Sequence, residues 1–160
     1  MKGNISILKQ VRLFVYDFDG VMTDNTFILD EKGNEQVSLN RSDGLAIAEI
    51  KKRGYKQIII STENCDIIKL RAKKLGIKCF IGIDDKLLAL KEYLSSEMLE
   101  FTEIAYVGND INDLDSLCWV SFPFVSNDSH VILKSKGFTI LKTSGGNGVL
   151  REIADIFEEL

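Results

Sequence analysis

The sequence is poor in the residues that build soft-metal and disulfide sites. It has one histidine, His130, and three cysteines, Cys65, Cys79 and Cys118, far apart and in no CxxC pair. Neither a disulfide framework nor a zinc site follows from that pattern, and the thiols read as free in a reducing compartment. No apolar run approaches the length needed to span a bilayer. The first ten residues, MKGNISILKQ, lack the long apolar core of a secretory signal. A soluble, cytoplasmic protein with no membrane partner is expected. A basic excess is missing too. The net charge is −4, which gives no electrostatic footprint for nucleic acid. The clusters Lys51-Lys52-Arg53 and Lys73-Lys74 fall at the ends of predicted helices, where cations favour the helix dipole.

What is there is a chain of 160 residues, 45% apolar, enough for one domain over 1–160 with its own core. RLFVYD reads as a first buried strand. NTFILDEKGNEQVSLN reads as a hairpin, with β-prone TFIL and QVSL on either side of the turn residues DEKGN. SDGLAIAEIKKRG has helical spacing and a glycine after its end. YKQIIIS, KCFIGI, EIAYVG and SFPFV read as further strands. NCDIIKLRAKKLG, DKLLALKEYLSSEML and NDINDLDSLCWV read as helices between them. The tail adds SHVILKSKG as a helix, FTIL as a short strand, a glycine-rich SGGNGV, and a last helix through Leu160. Strands that are apolar throughout and alternate with helices predict a parallel sheet covered on both faces. The fold class expected is α/β, a Rossmann-like three-layer sandwich with a parallel central sheet and a β-hairpin flap.

In such sheets ligands bind at the carboxyl ends of the strands. Asp17 and Asp19 end the first strand and Ser61 the second. Lys86 follows the third, and Gly108-Asn109-Asp110 end the fourth, with Asp113 one turn on. Each has a plain reading taken alone. Asp at a strand end is turn chemistry, and GNDIND can be a loop with a helix cap. Together they form a different set. Clustered carboxylates raise each other's pKa unless a cation joins them. Oxygen ligands without His or Cys suit a hard ion, Mg²⁺ above all. A carboxylate beside a bound phosphate can attack phosphorus, and a second acid two residues on can serve as general acid and then base.

In this order and placement, DFDGVMTD, Ser61, Lys86 and GNDIND resemble the four motifs of the haloacid dehalogenase (HAD) phosphotransferase superfamily, over nearly the whole chain. DGVMTD, RSDGLAI, RAKKLGI, DDK and GGNGVLREI resemble its small phosphatases of 2-keto-3-deoxy sugar acids. These include the 3-deoxy-manno-octulosonate 8-phosphate phosphatases, the nonulosonate 9-phosphate phosphatases, and the related domain attached to some CMP-sialate synthetases. The resemblance implies that Asp17 is the nucleophile and that Asp19 is the general acid and base. It implies that Ser61 bonds the phosphoryl group and that Lys86 neutralises phosphate and nucleophile. Mg²⁺ would be held by Asp17, the backbone carbonyl of Asp19, Asn109 and Asp110, with Asp113 behind them. The family usually has Gly-Asp-Asp where this chain has Gly108-Asn109-Asp110, so weaker Mg²⁺ binding is expected.

The gaps between motifs leave no room for a cap domain over the site. In the family a homotetramer covers it. Hairpins build a central barrel, and a neighbour's C-terminal tail enters the site. By that resemblance Arg151 reaches a substrate carboxylate; read on its own it is a first-turn helix residue in a surface pair. Thr62 and Glu63 follow Ser61, and Glu63 leans the substrate toward a nine-carbon sugar acid 9-phosphate. Arg41 and Asp43 match a segment that lines the site, and Arg71 is assigned to substrate with them; Asp43 is alternatively a helix N-cap. Two other readings stand. One is a feeble HAD domain that serves oligomerisation. The other is a receiver-like phosphoacceptor, against which Asp19 argues. His130 and Trp119 carry no expected catalytic role.

Overall fold

The computed structural model describes residues 9–158. Residues 1–8 of the stretch MKGNISILKQ, expected to lack a signal core, and the end of the last helix at 159–160 lie outside the described residues. Six parallel strands form one sheet: β1 (Leu13–Tyr16), β4 (Lys56–Ile60), β5 (Lys78–Phe80), β6 (Ile104–Gly108), β7 (Phe122–Val125) and β8 (Thr139–Ile140). Their order is β5-β4-β1-β6-β7-β8. The chain winds outward from β1 to β4 and β5, then crosses to β6 and winds the other way. The reversal lies between β1 and β6, paired from Leu13↔Ile104 to Tyr16↔Val107. This is the crevice where such sheets bind ligands.

Alternate residues of each strand feed two cores. Phe14, Tyr16, Ile59 and Val107 pack under α1 (Arg41–Lys52), α2 (Asp66–Leu75) and α6 (Val149–Glu158). Leu13, Val15, Ile58, Ile60 and Tyr106 pack under α3 (Lys86–Glu97), α4 (Leu114–Trp119) and α5 (Val131–Lys134). Both faces are therefore dry, which is why the strands read as unbroken apolar runs. This is the three-layer α/β sandwich expected. Between Asp19 and Ser61 the chain holds only a hairpin and α1. Between Lys86 and Gly108 it holds α3 and one 3₁₀ turn. No cap domain interrupts either gap.

Three local expectations are corrected. The hairpin pairs β2 (Ile28–Leu29) with β3 (Glu35–Gln36), so that of QVSL only Gln36 joins the ladder. The Asp30 carboxylate accepts from the backbone of Lys32 and Asn34, closing the turn early, while Val37 and Leu39 fold onto the core. NDINDLDSLCWV is not one helix but a 3₁₀ turn (Ile111–Asp113) followed by α4, because Asp113 turns its side chain inward. The N-cap of α1 is Asn40, whose side chain accepts from the Ser42 N–H, and not Asp43.

Candidate active site

Asp17 follows the last residue of β1, and its backbone N–H donates to the Val107 carbonyl of β6 at 2.9 Å. That bond fixes the residue at the crevice. The residue is only 3% exposed. The carboxylate accepts from the Phe18 N–H at 2.7 Å and pairs with Lys86 Nζ at 2.9 Å. Lys86 opens α3 behind the N-cap Asp85 and is 2% exposed. Its ammonium lies equally close, 2.9 Å, to Asp113 Oδ1. Asp113 is fully buried and also accepts from Tyr106 Oη at 2.8 Å and from the Asn109 N–H at 2.9 Å. Asp113 thus braces Lys86 on one side and the β6 loop on the other.

Two buried carboxylates share one ammonium, so the floor of the crevice carries an excess of negative charge. Burial, and then Asp113, push Asp17 well above the usual carboxylate range, with Lys86 pulling the other way. Burial works against the charge on Lys86, but Asp17 and Asp113 together outweigh it, and its pKa is raised. The lysine therefore stays an ammonium. Asp19 is half-buried and its pKa is raised by burial; the hydroxyl of Thr23, donating at 3.1 Å, opposes the shift, and Glu63 adds to it.

Asp17 and Asp19 face one cavity of about 300 Å³, lined also by Asn25, Ser61, Thr62, Glu63, Asn109, Asp110 and Asn112, with Lys86 and Asp113 buried behind it. Ser61 is buried at the end of β4, its hydroxyl accepting from the Glu63 N–H at 3.2 Å. Asn109 packs its amide against Gly20. A Cβ there would lie 1.7 Å from Asn109 Nδ2, and Gly20 has φ +75°, so only glycine lets the two loops meet. The Asn109 carbonyl in turn accepts from the His130 N–H at 2.8 Å. The side chain of His130 caps α5, away from the chemistry. Trp119 packs on Phe101 with ring centroids 5.5 Å apart.

The donors fit a hard cation. Asp17, Asn109 and Asp110 offer oxygen atoms to one cavity that has negative charge to spare. Asp110 is partly committed, since its carboxylate accepts from the Ile111 N–H at 2.7 Å. Among the described residues no group of three or more His, Cys, Asp or Glu side chains gathers in metal-binding array. Asn109 stands where a further carboxylate would complete one.

Four residues expected to touch substrate lie away from this cavity in the chain itself. Arg41 is exposed at the start of α1. Asp43 is 1% exposed, and its Oδ1 accepts from the N–H groups of Leu150 and Arg151, at 3.1 and 3.3 Å. It caps α6, not its own helix. Arg71 donates to the Asn40 carbonyl at 3.0 Å. Arg151 pairs with Glu49 and Asp155. The glycine-rich loop packs on its own chain: a Cβ on Gly145 would lie 2.5 Å from the Gly20 carbonyl oxygen. Sequence reasoning missed Asn25, Asn112, Thr23 and Tyr106. Asn112 lay inside the quoted GNDIND, whereas Tyr106 looked like any apolar strand residue.

No family model matches the chain. Among curated proteins it is 30% identical over 147 residues to a 3-deoxy-D-manno-octulosonate 8-phosphate phosphatase of Yersinia pestis, covering 91% of this chain and 79% of the relative. It is also 30% identical to N-acylneuraminate cytidylyltransferase A of Danio rerio, over 91% of this chain but only 34% of that longer protein. Among solved structures, the octulosonate 8-phosphate phosphatase of Moraxella catarrhalis, in complex with magnesium, phosphate and KDO, superposes with TM-score 0.92. That pair is 29% identical and covers 96% of this chain and 89% of the other.

Proposed function

The chain belongs to the HAD family of 3-deoxy-D-manno-octulosonate 8-phosphate phosphatases, and from that membership we propose that it hydrolyses the phosphate monoester of a 2-keto-3-deoxy sugar acid through an aspartyl-phosphate. The observation that carries the reading is the array Asp17–Lys86–Asp113 at the floor of one cavity, with Asp19 two residues on and Ser61 beside it. Mg²⁺, held by Asp17, Asn109, Asp110 and the Asp19 carbonyl, would neutralise phosphate charge when bound. Asp17 attacks phosphorus as the ester bond breaks. Asp19, whose pKa burial shifts upward, in the direction a general acid needs, protonates the leaving alkoxide. The same carboxylate then takes a proton from water, which attacks phosphorus and frees Asp17 and inorganic phosphate. Lys86 holds Asp17 in line and, from behind it, offsets the negative charge of the site. Ser61 hydrogen-bonds that group.

The relatives' names favour octulosonate 8-phosphate. Glu63 on the cavity wall, with the match to the cytidylyltransferase, favours a second reading, a nonulosonate 9-phosphate. Kinetics on the two esters with and without Mg²⁺ decide between them. Turnover of the octulosonate ester with the higher kcat/KM supports the first reading, and the reverse order supports the second. Equal failure on both, from folded protein, contradicts the phosphatase reading and favours the alternative role in assembly. A cytoplasmic homotetramer, with the site covered by a neighbour's tail, belongs to the same proposal.

A further inference from the structure

The cavity has a rim as well as a floor, and two rim residues take no part in the chemistry at Asp17. Asn25 and Asn112 line it together with Thr62 and Glu63. Among the described residues lining this cavity none is Lys or Arg. The rim therefore offers amides, a hydroxyl and one carboxylate. Such groups give and accept hydrogen bonds to neutral hydroxyls and provide no charge partner for an acid. Asn112 braces the wall, its Nδ2 donating to Thr62 Oγ1 at 2.9 Å.

Asn25 stands out by its backbone. Its φ is +63°, in the left-handed region, which among the described residues only one other non-glycine, Met98 at the end of α3, also occupies. A side chain there is strained relative to glycine, although Asn bears it better than most residues. Its N–H donates to Thr23 Oγ1 at 3.2 Å, and that hydroxyl donates to Asp19 Oδ1 at 3.1 Å. One hydroxyl thus ties the Asn25 backbone to the acid–base carboxylate, both residues lining the same cavity. A turn needing only the backbone shape would be relaxed by glycine, yet an amide that faces the cavity is kept.

We infer that Asn25 is a specificity-determining residue. Its amide reads a hydroxyl on the carbons next to the phosphate ester of a polyhydroxylated substrate. The inference rests on the phosphatase reading. Two variants of the full chain test it. Asn25→Gly takes the same backbone angles without a Cβ. Asn25→Asp keeps the size and the tolerance of a positive φ but loses the N–H donors. The readouts are the ratio of kcat/KM for octulosonate 8-phosphate to that for phenyl phosphate, which has no hydroxyls, and the melting temperature. The ratio is expected to fall about tenfold in both variants, the worth of one ordinary hydrogen bond, while Asn25→Gly melts no lower than the parent. A ratio unchanged in Asn25→Gly overturns the inference, whatever the melting temperature does. If the unsubstituted protein releases phosphate from neither ester, the phosphatase reading falls and takes the inference with it. Turnover by the parent tells the two failures apart.

Discussion

Asn109 sits where the charge of the cavity is decided. It is 8% exposed, held by its N–H to Asp113 and by its carbonyl to His130. Its amide brings oxygen without charge to a floor already acidic by one unit. An Asn109→Asp variant should bind Mg²⁺ roughly tenfold more tightly, because a further carboxylate would face the cation beside Asp17 and Asp110. Calorimetric titration with Mg²⁺ alone checks this, and unchanged affinity would remove Asn109 from the metal site. At this scale Asp17, Asp19, Ser61 and Lys86 were legible in the sequence because each ends or follows a strand. Tyr106 and Thr23 were not. Their hydroxyls meet Asp113 and Asp19 only after the loops close, and nothing in a lone Tyr or Thr announces that.

Among the elements, the joint between α1 and α6 went unread. Asp43 looked like either a site residue or a cap of its own helix. It is a cap of a helix more than a hundred residues away, a pairing no local pattern contains. Burial raises its pKa to about 6, against the pull of the Arg151 and Leu150 N–H groups and the Arg71 guanidinium. A carboxyl raised in the fold favours folding fully below its unfolded pKa and loses that advantage as pH rises through about 6. Asn in its place stays neutral. Relative to the parent, Asp43→Asn should therefore gain stability between about pH 4 and pH 7, by about 3 kcal/mol at most. Denaturant unfolding at several pH values measures the difference. Curves for the two proteins that run parallel across the range would refute the role given to Asp43. The hairpin was legible as an element but not in register, because the Asp30 turn, not the β-prone run, sets where pairing begins.

On the scale of the whole molecule, the parallel sheet covered on both faces followed from apolar strands alternating with helices, and the strand ends as the place of the site followed from that architecture, whereas the strand order is seen only in the fold. The coverage of the site is a different matter. Phe27, Ile28 and Leu29 on the hairpin are 58%, 69% and 59% exposed, a contiguous apolar stretch next to the cavity residue Asn25. Contiguous apolar surface is what protein–protein interfaces bury. If hairpins of several copies pack together, replacing Phe27 and Leu29 by Ser should shift the protein to monomer in sedimentation and lower kcat/KM with it. An unchanged sedimentation coefficient would rule out the hairpin as the assembly surface.

The most direct test of the central claim, that Asp17 is the nucleophile and Asp19 the acid and base that clears it, is peptide mass mapping of an Asp19→Asn variant quenched in acid during reaction with Mg²⁺ and 4-nitrophenyl phosphate, whose phenolate leaves without a proton from Asp19. The account predicts a phosphoryl group on the peptide carrying Asp17, because the intermediate forms but is hydrolysed slowly, and none when Asp17 is also replaced by Asn. Phosphate release that persists in Asp17→Asn, with no phosphorylated peptide in either variant, would contradict it.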